Sequence, residues 1–361
     1  MEELTMEPNE FKQLHQAFMG GHTHANAHYV QKVLMNVASY DFTSSYPAVM
    51  LLEKFPMSKA TSVDGTVSDE QFSNLLLTKA VVFDLVLTGV RPRIHNEHPI
   101  SKSKCWLLEN AMTDETDYNT PRIDNGRVVM ADKLGITVTE QDFITYSRYY
   151  YYDAIDVYNI RYYDKKYLPH QFAKAILGLY ERKTKLKDVK GEEVNYAISK
   201  NMMNAAYGMI VTNPVRDEFE YVSGECKKSK PDIESAIAEY NRQVRRFLYY
   251  PWGVWVTAYA RRNLFPGIEA VGDDFVYSDT DSIKLLNHEK HHQYFEDYDK
   301  RILEKIERAA DYHNVKVEQF RPRNKKGVEK TIGVWDFEGV WEPFFALFAV
   351  REHSGILAKG I

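Results

Sequence analysis

"VYSDTDSIKLL", Val276 to Leu286, places two aspartates one residue apart between two runs in which apolar and polar side chains alternate. That alternation, broken by a polar knot, predicts a strand, a tight turn and a returning strand. Asp279 and Asp281 then share a turn, where like charges repel unless a cation lies between them. A solvated acidic turn is the plain alternative, because aspartate is a common turn residue. The rest of the chain has to decide.

At 361 residues the chain is long enough for two or three domains and a sizeable core. With 44% hydrophobic and 27% charged residues, its composition is that of a globular protein rather than a disordered one. The longest apolar run, "FFALFAV" at Phe344 to Val350, is too short to span a bilayer, and the acidic start "MEELTMEPNEF" does not read as a secretory leader. The expectation is therefore a cytoplasmic protein without a membrane partner. Cys105 and Cys226 are the only cysteines, and they offer neither a thiolate zinc cluster nor a disulfide framework. A net charge of −5 weighs weakly against nucleic-acid binding, but the charge is unevenly spread. Arg161 to Lys200 interleaves Lys and Arg with Tyr, and "RPRNKKGVEK" at Arg321 to Lys330 is a second basic run.

Upstream, "NVASYDFTSSYPAVMLLEKF" predicts a strand ending at Asp41 and a helix with Pro47 in its first turn. "KAVVFDLVLTGV" at Lys79 to Val90 reads as another strand, and Asn110 to Asn125 as an exposed loop. Helices are expected from Gln171 to about Met209, with a break at Lys190 and Gly191. Arg216 to Leu248 is charged, with a helix in its second half. "YYPWGVWVTAYARRNLF" predicts a Pro-Gly turn opening an apolar helix that leads to the Asp279 strand. Beyond that strand, Phe295, Tyr298, Ile302, Ile306 and Ala309 recur at helical spacing and should form one buried face.

Two magnesium ions need more acidic ligands than one pair supplies, since Mg²⁺ prefers octahedral oxygen coordination. Asp41 is the best placed. A triphosphate also needs cations, and in "KNMMNAAYG" Lys200, Asn204 and Tyr207 fall at i, i+4 and i+7, on one helix face.

These residues carry a resemblance. "DFTSSYP" is similar to the DxxSLYP motif A of family B DNA polymerases, "KNMMNAAYG" to their KxxxNSxYG motif B and "YSDTDS" to their YxDTDS motif C, in that order along the chain. "FMGG" at Phe18 to Gly21 resembles the YxGG motif of the protein-primed branch found in phages and linear plasmids, and "PWGVWVTAYAR" at Pro251 to Arg261 resembles the segment that leads to motif C there. The resemblance implies an α+β fold: a palm of small antiparallel sheet backed by helices, with helical fingers and branch-specific insertions. The implied division is an exonuclease–polymerase junction over 1–40, palm with first insertion over 41–165, fingers over 166–215, second insertion over 216–248, palm over 249–340, and a divergent tail over 341–361 in place of a thumb.

The same resemblance implies roles. Asp41 and Asp281 bind two Mg²⁺ ions, with Mn²⁺ as the alternative, and Asp279 is an accessory ligand. Tyr46 matches the steric-gate tyrosine that crowds a ribose 2′-hydroxyl. Lys200 contacts the triphosphate and is the candidate general acid for pyrophosphate. Lys183 is the second phosphate lysine, with Lys187 close behind. Asn204 and Tyr207 shape the nascent base-pair pocket, and Gly208 lets the backbone approach the duplex. Phe18, Gly20, Gly21, Tyr207 and Thr280 contact DNA. The implied activity is template-directed addition of deoxynucleotides to a 3′-hydroxyl. The partners are primer-template DNA, dNTPs, a terminal protein that primes, and a separately encoded exonuclease or thumb part. A noncatalytic DNA-binding fragment is the competing expectation.

The departures are specific. Ser45 replaces the Leu of motif A, and Ala205 the Ser of motif B. No aspartate precedes Asp41, so the carboxylates of a proofreading exonuclease are not expected here. Val350 and Glu352 stand where the family's KxY motif would grip the primer. "HEKHH" at His288 to His292 fits the HExxH pattern of zinc metalloproteases, but its place at the start of an amphipathic helix capped by Asn287 favours coincidence. "GDD" at Gly272 to Asp274 resembles the RNA-dependent RNA polymerase signature, against which Tyr46 and motif B argue. His22, His24 and His28 read as a polar DNA-contacting loop rather than a metal site.

Overall fold

The computed structural model describes residues 4–109, 122–222, 224–229, 232–243 and 248–346. In it, strands Phe275–Asp279 and Ser282–Leu285 pair antiparallel with Asp279 opposite Ser282. Only Thr280 and Asp281 are left in the loop. Thr280 lies in the left-handed region, at φ 56°, as a two-residue hairpin loop requires.

This hairpin is the middle of a five-stranded antiparallel sheet, ordered Thr23–Ala25, Phe275–Asp279, Ser282–Leu285, Val37–Phe42, Trp335–Trp341. A strand sends alternate side chains to opposite faces. Tyr40 therefore stacks on Phe295 at 3.9 Å between ring centroids, and Phe42 lies 5.3 Å from Tyr298 on the same helix. Ser39 and Asp41 are left for the other face.

The helices are α1 (Pro8–Ala17), α2 (Ser45–Leu52), α3 (Asp69–Thr78), α4 (Glu140–Tyr149), α5 (His170–Leu186), α6 (Glu193–Ile210), α7 (Ile233–Arg242), α8 (Tyr250–Val271) and α9 (His292–His313). All five residues of the anticipated stripe on α9 are buried. Helix α8 is central, with Trp252 and Trp255 fully enclosed. The anticipated Pro-Gly turn does not exist. Pro251 occupies the first turn of α8, where its missing N–H is harmless. Gly253 is helical, and a Cβ there would collide with the Val211 side chain.

A second, six-stranded antiparallel sheet is built around the long strand Ala80–Pro92, flanked by Ala131–Thr139 and Ala154–Tyr163. Its middle strands are apolar because helices and neighbouring strands cover them. Helices α5 and α6 pack against each other across a short connection, with the break at Lys190 and Gly191 where expected. Between α6 and α8 the chain forms a hairpin, Glu218–Val222 with Glu225–Ser229, before α7. The sequence reading found the helix there and missed the hairpin. Of the expected Asn110 to Asn125 loop, residues 110–121 lie outside the described part, and Ile123–Asp124 pairs with Arg127–Val128. Val350 and Glu352 also lie outside it. Among the described residues no helix is long and apolar enough to cross a membrane.

Candidate active site

Asp41 lies in the fourth strand of the sheet, with Ser282 opposite on one side and Asp336 on the other. The amide of Phe42 donates to the Asp281 carbonyl at 2.8 Å. Two carboxylates far apart in sequence therefore share one end of the sheet. Each feels the cost. Burial first, then Glu338, pushes Asp41 up to about 6 against the pull of Lys284 and Lys183. Burial first, then Asp41 and Asp279, pushes Asp281 up to about 7. Asp279 is held aside: its Oδ1 accepts from Thr23 Oγ1 at 2.8 Å and from Thr280 Oγ1 at 3.2 Å. That fits an accessory position better than a place between the other two.

The turn from Asp41 into α2 carries Ser44, at φ 58°. Its hydroxyl makes no helix cap; it accepts from Lys183 Nζ at 2.8 Å. Burial lowers Lys183 to about 8, and Lys187 and Lys200 push the same way while Asp41 and Asp281 oppose them. Lys183 thus faces the two aspartates, and Lys187 stands one turn further out. Lys200, Asn204 and Gly208 are exposed along α6, whereas Tyr207 is half-buried with its ring 4.4 Å from that of Tyr46. A Cβ on Gly208 would meet nothing within 4 Å, so that stretch of α6 is open to an approaching ligand. Burial pushes the Tyr46 phenol up to about 12, with Asp281 and Asp279 adding to the shift.

The Phe18 to Gly21 stretch behaves unevenly. Phe18 packs against the core, and Gly20 is exposed with open space beside it. Gly21 presses on the hairpin: a Cβ there would lie 2.6 Å from Thr280 Cγ2. The Thr280 amide donates to the His22 carbonyl at 2.7 Å. Arg261 fixes the stretch from behind, donating to the Met19 and Gly20 carbonyls at 2.5 and 2.6 Å while pairing with Asp142 at 2.8 Å. Sequence reasoning missed Ser44, Arg261 and Lys284. The adjacent arginines in the otherwise apolar "VTAYARRNLF" were the signal for Arg261, since a charge on a buried helix needs a partner.

Two expectations fail on burial and geometry, the DNA-contacting histidine loop and the Asn287 cap, while the HExxH and GDD likenesses, against which the sequence already argued, gain no support. His22 and His24 are 1% exposed and gather around Glu97, with His24 Nδ1 2.9 Å from its Oε2, while His28 is exposed; the first two are interior residues, not a DNA-contacting loop. His288–His291 is a 3-10 turn, so His288 and His292 do not sit on one α-helical face, and His288 pairs with Glu289 at 3.2 Å. Asn287 does not cap it: its side chain donates to Asp274. Gly272–Asp274 caps the end of α8, where Asp274 accepts from Asn287 and pairs with His291.

Asp41 and Asp281 fit a hard cation. Their ligand atoms are all oxygen, and burial together with neighbouring carboxylates disfavours their charged forms, which a bound cation would relieve. Among the described residues, no three His, Cys, Asp or Glu side chains already form a closed cage. Mg²⁺ is commonly bound through one or two carboxylates plus substrate phosphates, so two aspartates without a cage suit it.

Comparison with known proteins bears on the family and the fold. Residues 3–301 match the family described as DNA polymerase type B, organellar and viral. The DNA polymerase of Bacillus phage Nf is 24% identical over 281 residues, covering 77% of this chain and 43% of that protein. The DNA polymerase of Bacillus phage phi29 is 24% identical over 283 residues, with the same coverage. The chain spans less than half the length of these relatives. The structure of phi29 DNA polymerase complexed with primer-template DNA superposes with a TM-score of 0.56 at 18% identity, over 78% of this chain and 44% of that one. The form complexed with single-stranded DNA gives 0.53 at 19% identity, over 78% and 43%. The relatives are phage enzymes, the branch to which the motifs pointed, and this chain belongs to the organellar and viral family of type B DNA polymerases.

Proposed function

We propose that this chain carries the nucleotidyl-transfer centre of a protein-primed DNA polymerase, adding deoxynucleotides to a 3′-hydroxyl under template direction. The observation that carries the reading is the meeting of Asp41, near the end of its strand, with Asp281, in the neighbouring hairpin turn, with Lys183 facing both. Two Mg²⁺ ions, or Mn²⁺, held by Asp41 and Asp281 with Asp279 accessory would activate the attacking hydroxyl and stabilise the leaving pyrophosphate. Lys183 and Lys200 bind the triphosphate, and Lys200 gives its proton to the departing pyrophosphate, with Lys183 the alternative donor. Tyr46, backed by Tyr207, excludes a ribose 2′-hydroxyl. Asn204 and Tyr207 line the base-pair pocket, and Phe18, Gly20, Gly21, Gly208 and Thr280 border the DNA.

In this reading the five-stranded sheet with α8 and α9 is the palm, α5 and α6 are the fingers, and the six-stranded sheet and the Glu218–Ser229 hairpin with α7 are the two insertions. The partners are primer-template DNA, dNTPs, a terminal protein offering the first hydroxyl, and a separately encoded exonuclease or thumb, at work in the host cytoplasm.

Primer extension by the purified chain with Mg²⁺, beside Asp281→Ala, tests it. Extension by the wild type alone supports the reading, and equal extension by both defeats it. DNA binding without extension by either favours a noncatalytic part that works with other polypeptides.

A further inference from the structure

Six lysines in four chain segments on this side of the molecule lack acidic partners among the described residues. Lys183 and Lys187 lie one turn apart at the end of α5, Lys190 follows in the connection to α6, and Lys200 is on α6. The Arg321 to Lys330 loop docks on that connection, with Lys325 Nζ 3.3 Å from the Asp188 carbonyl, and Lys326 is next to it. Among the described residues none of these six lysines has a carboxylate within ion-pairing distance, although their neighbours do: Lys185 pairs with Glu181, Arg321 and Arg323 with Glu329, and Lys330 with Asp336. The nearby carboxylates in sequence are Asp188, Glu192 and Glu193, and the last two accept from Asn195 and from the Gly191 amide. Among the described residues, lysines without ion pairs occur elsewhere, Lys12 and Lys32 among them, but here six lie in segments joined at Asp188, which concentrates positive charge on one strip in a chain of net charge −5 and suits it to a mobile anion.

We propose that Lys187, Lys190, Lys325 and Lys326 form a polyphosphate path, leading from Lys183 and Lys200 at the two aspartates out to solvent, which guides pyrophosphate away and the nucleotide triphosphate in. The inference rests on the polymerase reading and extends it to a loop that reading leaves unused. The path starts at Lys183, which is tied to Ser44 beside Asp41, where a pyrophosphate would be released. Surfaces that track single-stranded nucleic acid alternate cations with aromatic platforms. Arg321 to Lys330 holds no aromatic residue, and the single one in Arg182 to Lys200, Tyr196, is half-buried, which favours a polyphosphate over a strand of DNA.

Calorimetric titration of the full chain with inorganic pyrophosphate and Mg²⁺ tests the path without requiring catalysis. The double variant Lys325→Gln/Lys326→Gln removes two exposed charges; Lys12→Gln/Lys32→Gln, on α1 and beside the Val33–Leu34 strand, makes the same charge change elsewhere. The expected result is affinity about fivefold weaker in the first variant at physiological salt and unchanged in the second. Equal loss in both, wild-type affinity in the first, or no pyrophosphate binding by the wild type would overturn the path. So would a first variant that keeps pyrophosphate but loses duplex DNA, which would assign the loop to the nucleic-acid backbone. A chain that binds pyrophosphate through these lysines yet extends no primer would leave the path standing and remove the polymerase reading.

Discussion

Phe42 donates its amide proton to the Asp281 carbonyl at 2.8 Å, joining the strand of Asp41 to the turn of Asp281 beside the two carboxylates. The backbones that carry the two carboxylates cannot be drawn apart without breaking that bond. Charge repulsion between them is therefore built into the fold, and a cation relieves it.

That repulsion has a pH signature in protein freed of divalent ions. Asp41 and Asp281 titrate near 6 and 7 when folded, above their usual carboxylate values. Their contribution to stability is full below about pH 4 and is lost as pH rises through 6 and 7. Asp281→Asn removes the penalty, so calorimetry without metal should show the variant more stable than wild type at pH 8, by about 1 kcal/mol after allowance for solvent screening, with the difference shrinking as pH falls and little left below about pH 4. Added Mg²⁺ should raise the melting temperature of the wild type more than that of the variant.

Lys183 is held on Ser44 at 2.8 Å, and the two perturbations separate charge from placement. Lys183→Met should weaken nucleotide binding about tenfold, the scale of a charged hydrogen bond. Ser44→Ala keeps the charge and frees the side chain, and should weaken it only about twofold to threefold. Fluorescence titration with a labelled dNTP measures both.

Tyr46 is braced by Tyr207 at 4.4 Å between ring centroids. Tyr46→Val should relax discrimination against ribonucleotides by about tenfold or more while leaving deoxynucleotide incorporation within about tenfold. Competing rNTP and dNTP extension on one template reads the ratio.

The contact of Gly21 with Thr280 links the N-terminal stretch to the catalytic turn. Gly21→Ala should cost about 1–3 kcal/mol, because the new methyl lies 2.6 Å from Thr280 Cγ2. Thr280→Gly removes that methyl and suits the positive φ, so the double variant should melt closer to wild type than Gly21→Ala does.

What the sequence revealed and what it hid divide along physical lines. The hairpin at Thr280, the Asp41 strand turning into α2 and the buried face of α9 are local patterns with periods of two or 3.6 residues, and they were legible. The resemblance named Lys183 with Lys187 close behind, and the structure ties Lys183 to Ser44 while Lys187 stays exposed. The partners that cross the fold were not legible. The bond of Ser44 to Lys183, the clamp of Arg261 on Met19 and Gly20, and the burial of His22 and His24 around Glu97 depend on segments brought together only by folding. Pro251 and Gly253 misled for the same reason: their dipeptide chemistry reads as a turn, but packing against Val211 decides for helix.

Electron paramagnetic resonance titration with Mn²⁺, in the presence of a nonhydrolysable dNTP, tests the shared cation site most directly. Asp41→Asn and Asp281→Asn should each abolish the tight Mn²⁺ sites of the wild type, and the double variant should lose no more than either alone. Wild-type Mn²⁺ affinity in either single variant would contradict the account.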